Sequence, residues 1–191
     1  MNFFKKVGLF FLDIIETGVI ALSIFVIVYL FILQPHEVKG NSMYPNFEHS
    51  EFLLTDKITY RLNGEPQRGD VIVFHAPVND QYDYIKRIIA LPGETVAVKD
   101  GKFFVNEKEV DEIYLPGETY TRNGKFVKEE TTITVPDQHY FVSGDNRNHS
   151  SDSRDWGTVP RENIVGRVWL RYWPLDRFGK IEKIKYDHDY L

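Results

Sequence analysis

"DYIKRIIALPGE", residues 83–94, places two adjacent cations inside an apolar run. β-Branched and other apolar residues follow the pair, and Pro92-Gly93 ends the run, which predicts a strand closed by a turn. Alternate residues of a strand share a face. Lys86 therefore falls with Tyr84 and Ile88, and Arg87 with Ile85 and Ile89. One of the two cations must lie against apolar neighbours. An edge-strand lysine ordinarily keeps its ammonium in water. A buried lysine loses its charge readily, because desolvation disfavours the ammonium form. Arginine does not deprotonate in this way. If this strand carries a base, it is Lys86.

The runs around it have the same texture. "EFLLTDKI", "DVIVFHAP", "TVAVKDGKFFVNEKEV", "TTITVP", "HYFVSGD" and "IVGRVWLRYW" are short and rich in β-branched and aromatic residues, with Gly, Pro, Asn and Asp between them. Asp100-Gly101 reads as the turn of a hairpin and Asn123-Gly124 as a second turn. No stretch after Leu33 carries a long 3.6-residue apolar period, so the fold class is mostly β. Residues 114–130 are the most polar and are expected as a surface excursion. "KIEKIKYDHDYL", residues 180–191, is expected as a charged, frayed tail.

The N-terminus differs in kind. Lys5 and Lys6 precede an apolar stretch in which Asp13 and Glu16 are the only acids, and Thr17 to Leu33 carry no charge. Counted from Ile14, the run is about 20 residues, a full membrane span, and Pro35 breaks it. "LQPHEV" after the run offers no small-residue cleavage site, so an uncleaved signal-anchor is expected. The two lysines hold the tail in the cytoplasm and leave the rest on the far side. The expected organisation is a cytoplasmic segment over 1–13, a transmembrane helix over 14–34 and an extracytoplasmic β-rich domain over 35–191.

The chain has 191 residues, 42% of them apolar, and a net charge of −5 with both signs mixed. That argues against nucleic acid as a partner, since nucleic-acid binders carry a basic patch or stripe. Without cysteine there is neither a disulfide framework nor a thiolate metal cage. His36, His49, His75, His139, His149 and His188 show no metal-ligand spacing, so no metal and no cofactor are expected. Two further stretches are dense in polar groups. "GNSMYP", residues 40–45, holds Ser42 just beyond the apolar run, where a turn serine ordinarily serves local hydrogen bonding. "GDNRNHSSDSRDWGTVP", residues 144–160, places Asp145, Arg147, Asp152 and Arg154 where they could form a hydrogen-bonded scaffold or a solvated loop.

Together, in this order behind an N-terminal anchor, these stretches resemble the bacterial type I signal peptidases. These are membrane-anchored serine proteases with a Ser/Lys dyad, here in the single-anchor form common in Gram-positive bacteria. The resemblance runs from about Gln34 to Trp173. It implies a mostly β, partly barrel-like domain of the signal-peptidase/LexA type, whose exposed apolar surface rests on the bilayer. It implies Ser42 as nucleophile, Lys86 as general base and Ser150 as the hydroxyl that orients the base. Asp145, Arg147, Asp152, Ser153 and Arg154 match the supporting motif. By matched position, Met43, Phe47, Tyr84 and Ile85 would line the pocket for the residue before the cut. Val38, Leu53, Val73 and Asp83 would border the pocket two residues upstream.

The implied function is removal of signal peptides from exported preproteins after small-x-small sites, at the bacterial cell membrane. The substrate would bind extended beside Asp83 to Lys86, and the secretion translocon is a further partner. Many Gram-negative members carry a hydroxyl residue where this chain has Gly40, so a substitute oxyanion donor is expected beside the Ser42 N–H. His36 replaces an aromatic residue of some relatives, and His149, beside Ser150, is an alternative base. The competing function is a non-catalytic membrane-anchored β-domain that binds exported proteins.

Overall fold

The structure, a computed structural model, describes residues 3–62, 64–77, 79–117, 119–184 and 186. A single helix, α1 (Phe3–Phe31), comes first. Its apolar side chains are exposed all round: Leu12 is 60% exposed, Leu22 62% and Phe25 63%. A helix apolar on every face needs an apolar surrounding. The segment Val7–Phe31 is 25 residues long; at about 1.5 Å per residue that exceeds the roughly 30 Å of a bilayer core. Thr17 and Ser23 donate their hydroxyls to the carbonyls of Asp13 and Val19, at 2.7 and 2.8 Å, so neither is left unpaired inside the helix.

The remainder is β-rich. The strands are β1 (Leu33–Glu37), β2 (Phe52–Asp56), β3 (Val71–Ala76), β4 (Asn79–Ala90), β5 (Thr95–Lys99) and β6 (Lys102–Val105). They continue with β7 (Lys108–Glu109), β8 (Thr132–Thr134), β9 (His139–Ser143), β10 (Val159–Pro160), β11 (Ile164–Trp173) and β12 (Gly179–Lys180). Two four-residue helices, α2 (Ile58–Arg61) and α3 (Ser153–Trp156), interrupt them. One sheet runs β1-β2-β11-β3-β4-β9-β10, with β12 also on β11; a second runs β7-β6-β5-β8. Among the described residues neither sheet closes on itself, so the domain is open rather than a complete barrel.

β4 is central to the larger sheet and carries "DYIKRIIA". In register, Lys86 pairs with Ile72, and Arg87 lies between Val71 and Ser143. Three apolar clusters flank it. Ile88, Ile72, Phe74 and Tyr140 form one; Val38, Met43, Phe47, Leu53, Val71 and Val73 form another. Ile89 and Ala90 pack with Phe103, Phe141 and the second sheet in the third. Both cations are consequently buried, Lys86 at 4% exposure and Arg87 at 3%.

The Asp100-Gly101 hairpin forms as expected: both residues have positive φ, 50° and 74°, and Lys99 faces Lys102 across the turn. Asn123-Gly124 does turn, with Gly124 N–H donating to the Val127 carbonyl at 2.9 Å, but no strand flanks it. Residues 114–130 do run along the surface, with Tyr120, Lys125, Phe126 and residues 128–130 exposed, but they are pinned to the core. Leu115, Thr121 and Val127 are buried, and Arg122 reaches the Ser150 carbonyl and the Asp155 carboxylate. Thr121 and Arg122 pair inward while the charged residues from Lys125 on stay at the surface, a division that composition alone conceals. Part of the expected frayed tail also packs: Ile181 and Tyr186 lie against core clusters, while His188 falls outside the described residues.

Candidate active site

Ser42 sits in the connection between β1 and β2. Gly40, at φ +87°, adopts a backbone conformation that glycine enters without strain and reverses the chain before it. After the serine, Phe47 N–H donates to the Met43 carbonyl at 2.9 Å, and Met43 and Phe47 are buried. The segment is thereby anchored in the core with the serine at its edge. Asn146 fastens it from the other side: its N–H donates to the Ser42 carbonyl and its side-chain amide to the Asn41 carbonyl, each at 3.0 Å. Among the described residues the Ser42 N–H has no hydrogen-bond acceptor.

Lys86 reaches this serine from β4. Its Nζ lies 2.7 Å from Ser42 Oγ and 2.9 Å from the Ile85 carbonyl oxygen, with the Tyr84 ring 5.5 Å away. Among the described residues no carboxylate forms an ion pair with it. Burial pulls its pKa down to about 8, against the opposing fields of Asp152 and Asp145 and with some help from Arg154. Arg87, next on the strand, has the opposite fate. Asp145 receives its Nε and Nη2 at 2.9 and 2.7 Å, and this pair holds the guanidinium charged although burial opposes it.

The 144–154 loop is a buried ion-pair scaffold rather than a solvated connection. Asp145 also accepts from Asn46, at 2.8 Å, which ties it to the serine segment. Arg147 donates to Glu112, to the Tyr114 hydroxyl and to the Gly144 carbonyl. Asp152 receives Arg154 through two donors at 2.8 and 2.7 Å, and also the Gly144 N–H and Ser143 hydroxyl. Burial alone would raise the Asp152 carboxyl, but Arg154 and these donors hold it below the usual carboxylate range. Ser153 Oγ accepts the Val142 N–H at 3.0 Å. Ser150 Oγ is buried beside Asp152, whose carboxyl it helps to hold down, but makes no hydrogen bond of regular geometry, and Lys86 is not its partner. Gly144 packs so tightly that a Cβ there would overlap both Ser42 O and Ser150 Oγ. His149 is exposed, and its backbone N–H bonds the Asn146 carbonyl.

A cleft of about 320 Å³ opens beside Ser42 and Lys86. Val38, Leu53, Val73, Asp83, Tyr84 and Ile85 line it. Met43 and Phe47 do not; they lie in the core cluster behind that wall, where they shape it indirectly. At the rim, Asp83 sits between two imidazoles, 3.4 Å from His36 Nε2 and 2.8 Å from His75 Nδ1. Burial keeps His36 below the ordinary imidazole range despite Asp83.

Sequence reasoning missed three residues that fix the serine segment. Glu51, 2% exposed, faces Arg171 Nε at 2.9 Å and Arg177 Nη1 at 2.6 Å. Those arginines donate to the carbonyls of Asn46 and Pro45, at 2.5 and 3.3 Å, and the Arg171 guanidinium lies over the Phe47 ring. The available signal was weak: an acid immediately before an apolar strand, and two arginines more than a hundred positions away.

The family described as "Signal peptidase, peptidase S26" matches residues 11–173. Signal peptidase I of Bacillus caldolyticus is 43% identical over 157 residues, 78% of this chain and 85% of that one. Probable signal peptidase I-2 of Synechocystis is 37% identical over 173 residues, 88% of this chain and 76% of that one. A crystal structure of a signal peptidase I from Enterococcus faecalis, 36% identical, covers 55% of this chain and 97% of its own, with a TM-score of 0.46. On sequence match and coverage, the chain belongs to the peptidase S26 family of signal peptidases.

Proposed function

We propose that this chain is a signal peptidase that cleaves exported preproteins through a Ser42/Lys86 dyad. The 2.7 Å approach of a buried, acid-free Lys86 to Ser42 Oγ carries the reading. A serine hydroxyl is a poor nucleophile until a neighbour accepts its proton. Neutral Lys86 takes that proton as Ser42 Oγ attacks the scissile carbonyl. The Ser42 N–H is free to donate to the developing oxyanion. Protonated Lys86 then passes the proton to the leaving amine, leaving an acyl-enzyme on Ser42. Lys86, neutral again, activates the water that releases the acyl group. Asp145, Arg147, Asp152, Ser153 and Arg154 hold the loop around the dyad, and Ser150 lies beside it. A non-catalytic β-domain gives no reason to bury a lysine whose charge the fold penalises.

The cleft wall of Val38, Leu53, Val73 and Ile85 suits small apolar side chains, which supports cleavage after small-x-small sites. An extended substrate would run beside Asp83 to Lys86, with Met43 and Phe47 backing the pocket. Localisation follows α1. The anchor, expected over 14–34, ends within α1 at Phe31, since Leu33 and Gln34 already belong to β1, and α1 also runs back into the expected cytoplasmic segment to Phe3. On this reading the N-terminal end remains cytoplasmic and the domain from 35 onward faces outward near the translocon. The exposed Trp173, Leu175 and Phe178 support contact between this domain and the bilayer. Protease added outside spheroplasts should digest the chain beyond Gln34; full protection of that part would reverse the orientation.

Ser42→Ala and Lys86→Ala should each abolish cleavage of a preprotein with an Ala-x-Ala site, with folding and membrane insertion intact. Lys86→Met is the sharper variant. The Lys86 pKa is lowered on folding, so charging it opposes the folded state below the ordinary lysine pKa of about 10.4. The methionine removes that opposition, so the inactive variant should melt no lower than wild type at pH 7. Near-normal turnover in either alanine variant contradicts the mechanism.

The acidic limb of the rate profile should rise with pH, because the active form is neutral Lys86, with a midpoint near its pKa of about 8. His149→Ala should leave that limb in place; its disappearance would transfer the role to the imidazole. Gly144→Ala should lower kcat about 100-fold with little change in KM, the scale expected when a reacting group is displaced by about 1 Å. Wild-type kcat would show that the loop absorbs the extra methyl.

A further inference from the structure

Where α1 meets the β domain, three cations gather around one cavity. Lys57, Arg61 and Arg161 line it, with Gln34, Tyr60 and the single carboxylate Glu162. The cavity adjoins the end of the apolar helix. Lys57 N–H donates to the Ile32 carbonyl at 2.9 Å, and the Arg61 guanidinium lies 6.0 Å over the Phe31 ring. Phe31 is also the last residue of the membrane-length segment.

Local acids do not neutralise this gathering. Lys57 Nζ donates to the neutral amide oxygen of Gln34, at 3.0 Å. Among the described residues neither Lys57 nor Arg61 has an ion-pair partner. The nearby Asp56 carboxylate is committed to the N–H groups of Ile58 and Thr59 and to the Thr59 hydroxyl. Among the described residues Arg161 has one ion pair, with the exposed Glu65 at 3.9 Å, and it donates to the Tyr60 carbonyl. Burial and the field of Arg61 both depress the Lys57 pKa, with Asp83 opposing them from a distance. The whole chain carries −5, so the concentration of positive charge runs against its average. Like charges held together in a cavity repel, and a bound anion removes that repulsion.

The depth of the cavity selects the anion. Side chains level with the end of a membrane-spanning helix lie in the headgroup layer, where cations meet lipid phosphate. We propose that this cavity binds the headgroup phosphate of an anionic lipid in the leaflet from which α1 emerges. The inference rests on reading α1 as a membrane anchor. Lys57 and Arg61 supply the charge, Arg161 closes the far wall, and the site is separate from the Ser42 cleft.

The test uses the full chain in nanodiscs of phosphatidylcholine, with and without phosphatidylglycerol, and native mass spectrometry to count retained lipids. Wild type should retain phosphatidylglycerol over phosphatidylcholine. Lys57→Gln/Arg61→Gln should lose about 30-fold of that preference, the equivalent of two surface cations. Lys57→Arg/Arg61→Lys should keep it. Cleavage in phosphatidylcholine alone should be the same in all three proteins, which checks that the variants fold. Equal retention in wild type and the glutamine variant overturns the site. Saturable binding of inorganic phosphate in phosphatidylcholine discs, with no preference for phosphatidylglycerol, assigns the cavity to free phosphate and overturns the lipid. A wild-type chain that fails to float with phosphatidylcholine vesicles overturns the anchor and this site together. One that floats but shows no preference overturns this site alone.

Discussion

The two-pronged contact between Arg87 and Asp145 holds the rest of the site in place. It joins the central strand β4 to the 144–154 loop, and through Asn46 it joins both to the segment that carries Ser42. Three pieces far apart in sequence thus meet on one buried carboxylate. Breaking such a pair from one side strands a charge in the core, at about 3–5 kcal/mol. The pair also defines its neighbour. Strand alternation turns Lys86 to the other face, where no carboxylate pairs with it and the ammonium's lost hydration is only partly compensated.

The surrounding charges are arranged to keep that contrast. Asp152 and Asp145 are close enough to act on Lys86, yet both are occupied by arginines, Arg154 and Arg87. Their field on the lysine is blunted and desolvation prevails. The segment from Tyr114 to Val127 adds a second layer: Tyr114 packs on the Arg87 guanidinium, and Arg122 holds the Ser150 carbonyl. On the opposite side, Glu51 gathers Arg171 and Arg177 onto the carbonyls of the serine segment. The strand that supplies Arg171 ends at the exposed Trp173, so the serine segment is braced from the part of the domain with the most exposed apolar side chains after α1.

Local chemistry was legible in the sequence. Alternation placed Lys86 and Arg87 on opposite faces, Asp100-Gly101 announced its hairpin, and the uncharged run announced α1. The motif around Asp145 and Asp152 announced a polar scaffold, though not which acid takes which arginine. Long-range pairing was not legible. Nothing local to Glu51 points to Arg171 or Arg177, and the polarity of residues 114–130 suggested solvent because charge composition does not say whether partners lie within the protein. Met43 and Phe47 were expected on the pocket wall; their burial behind it depends on how β2, β3 and β11 stack, a tertiary fact. The Lys57–Arg61–Arg161 cavity needed the structure as well, since only the end of α1 brings those residues into relation.

The central claim is that burial lowers the Lys86 pKa far enough for a neutral fraction of it to stand beside Ser42 near neutral pH. Selective isotope labelling of lysine side chains and an NMR titration of Lys86 Cε in the folded chain, assigned with Lys86→Met, test it directly. The account predicts a midpoint near 8. A midpoint near the ordinary lysine value of about 10.4 would leave Ser42 facing a permanent ammonium and would contradict the account.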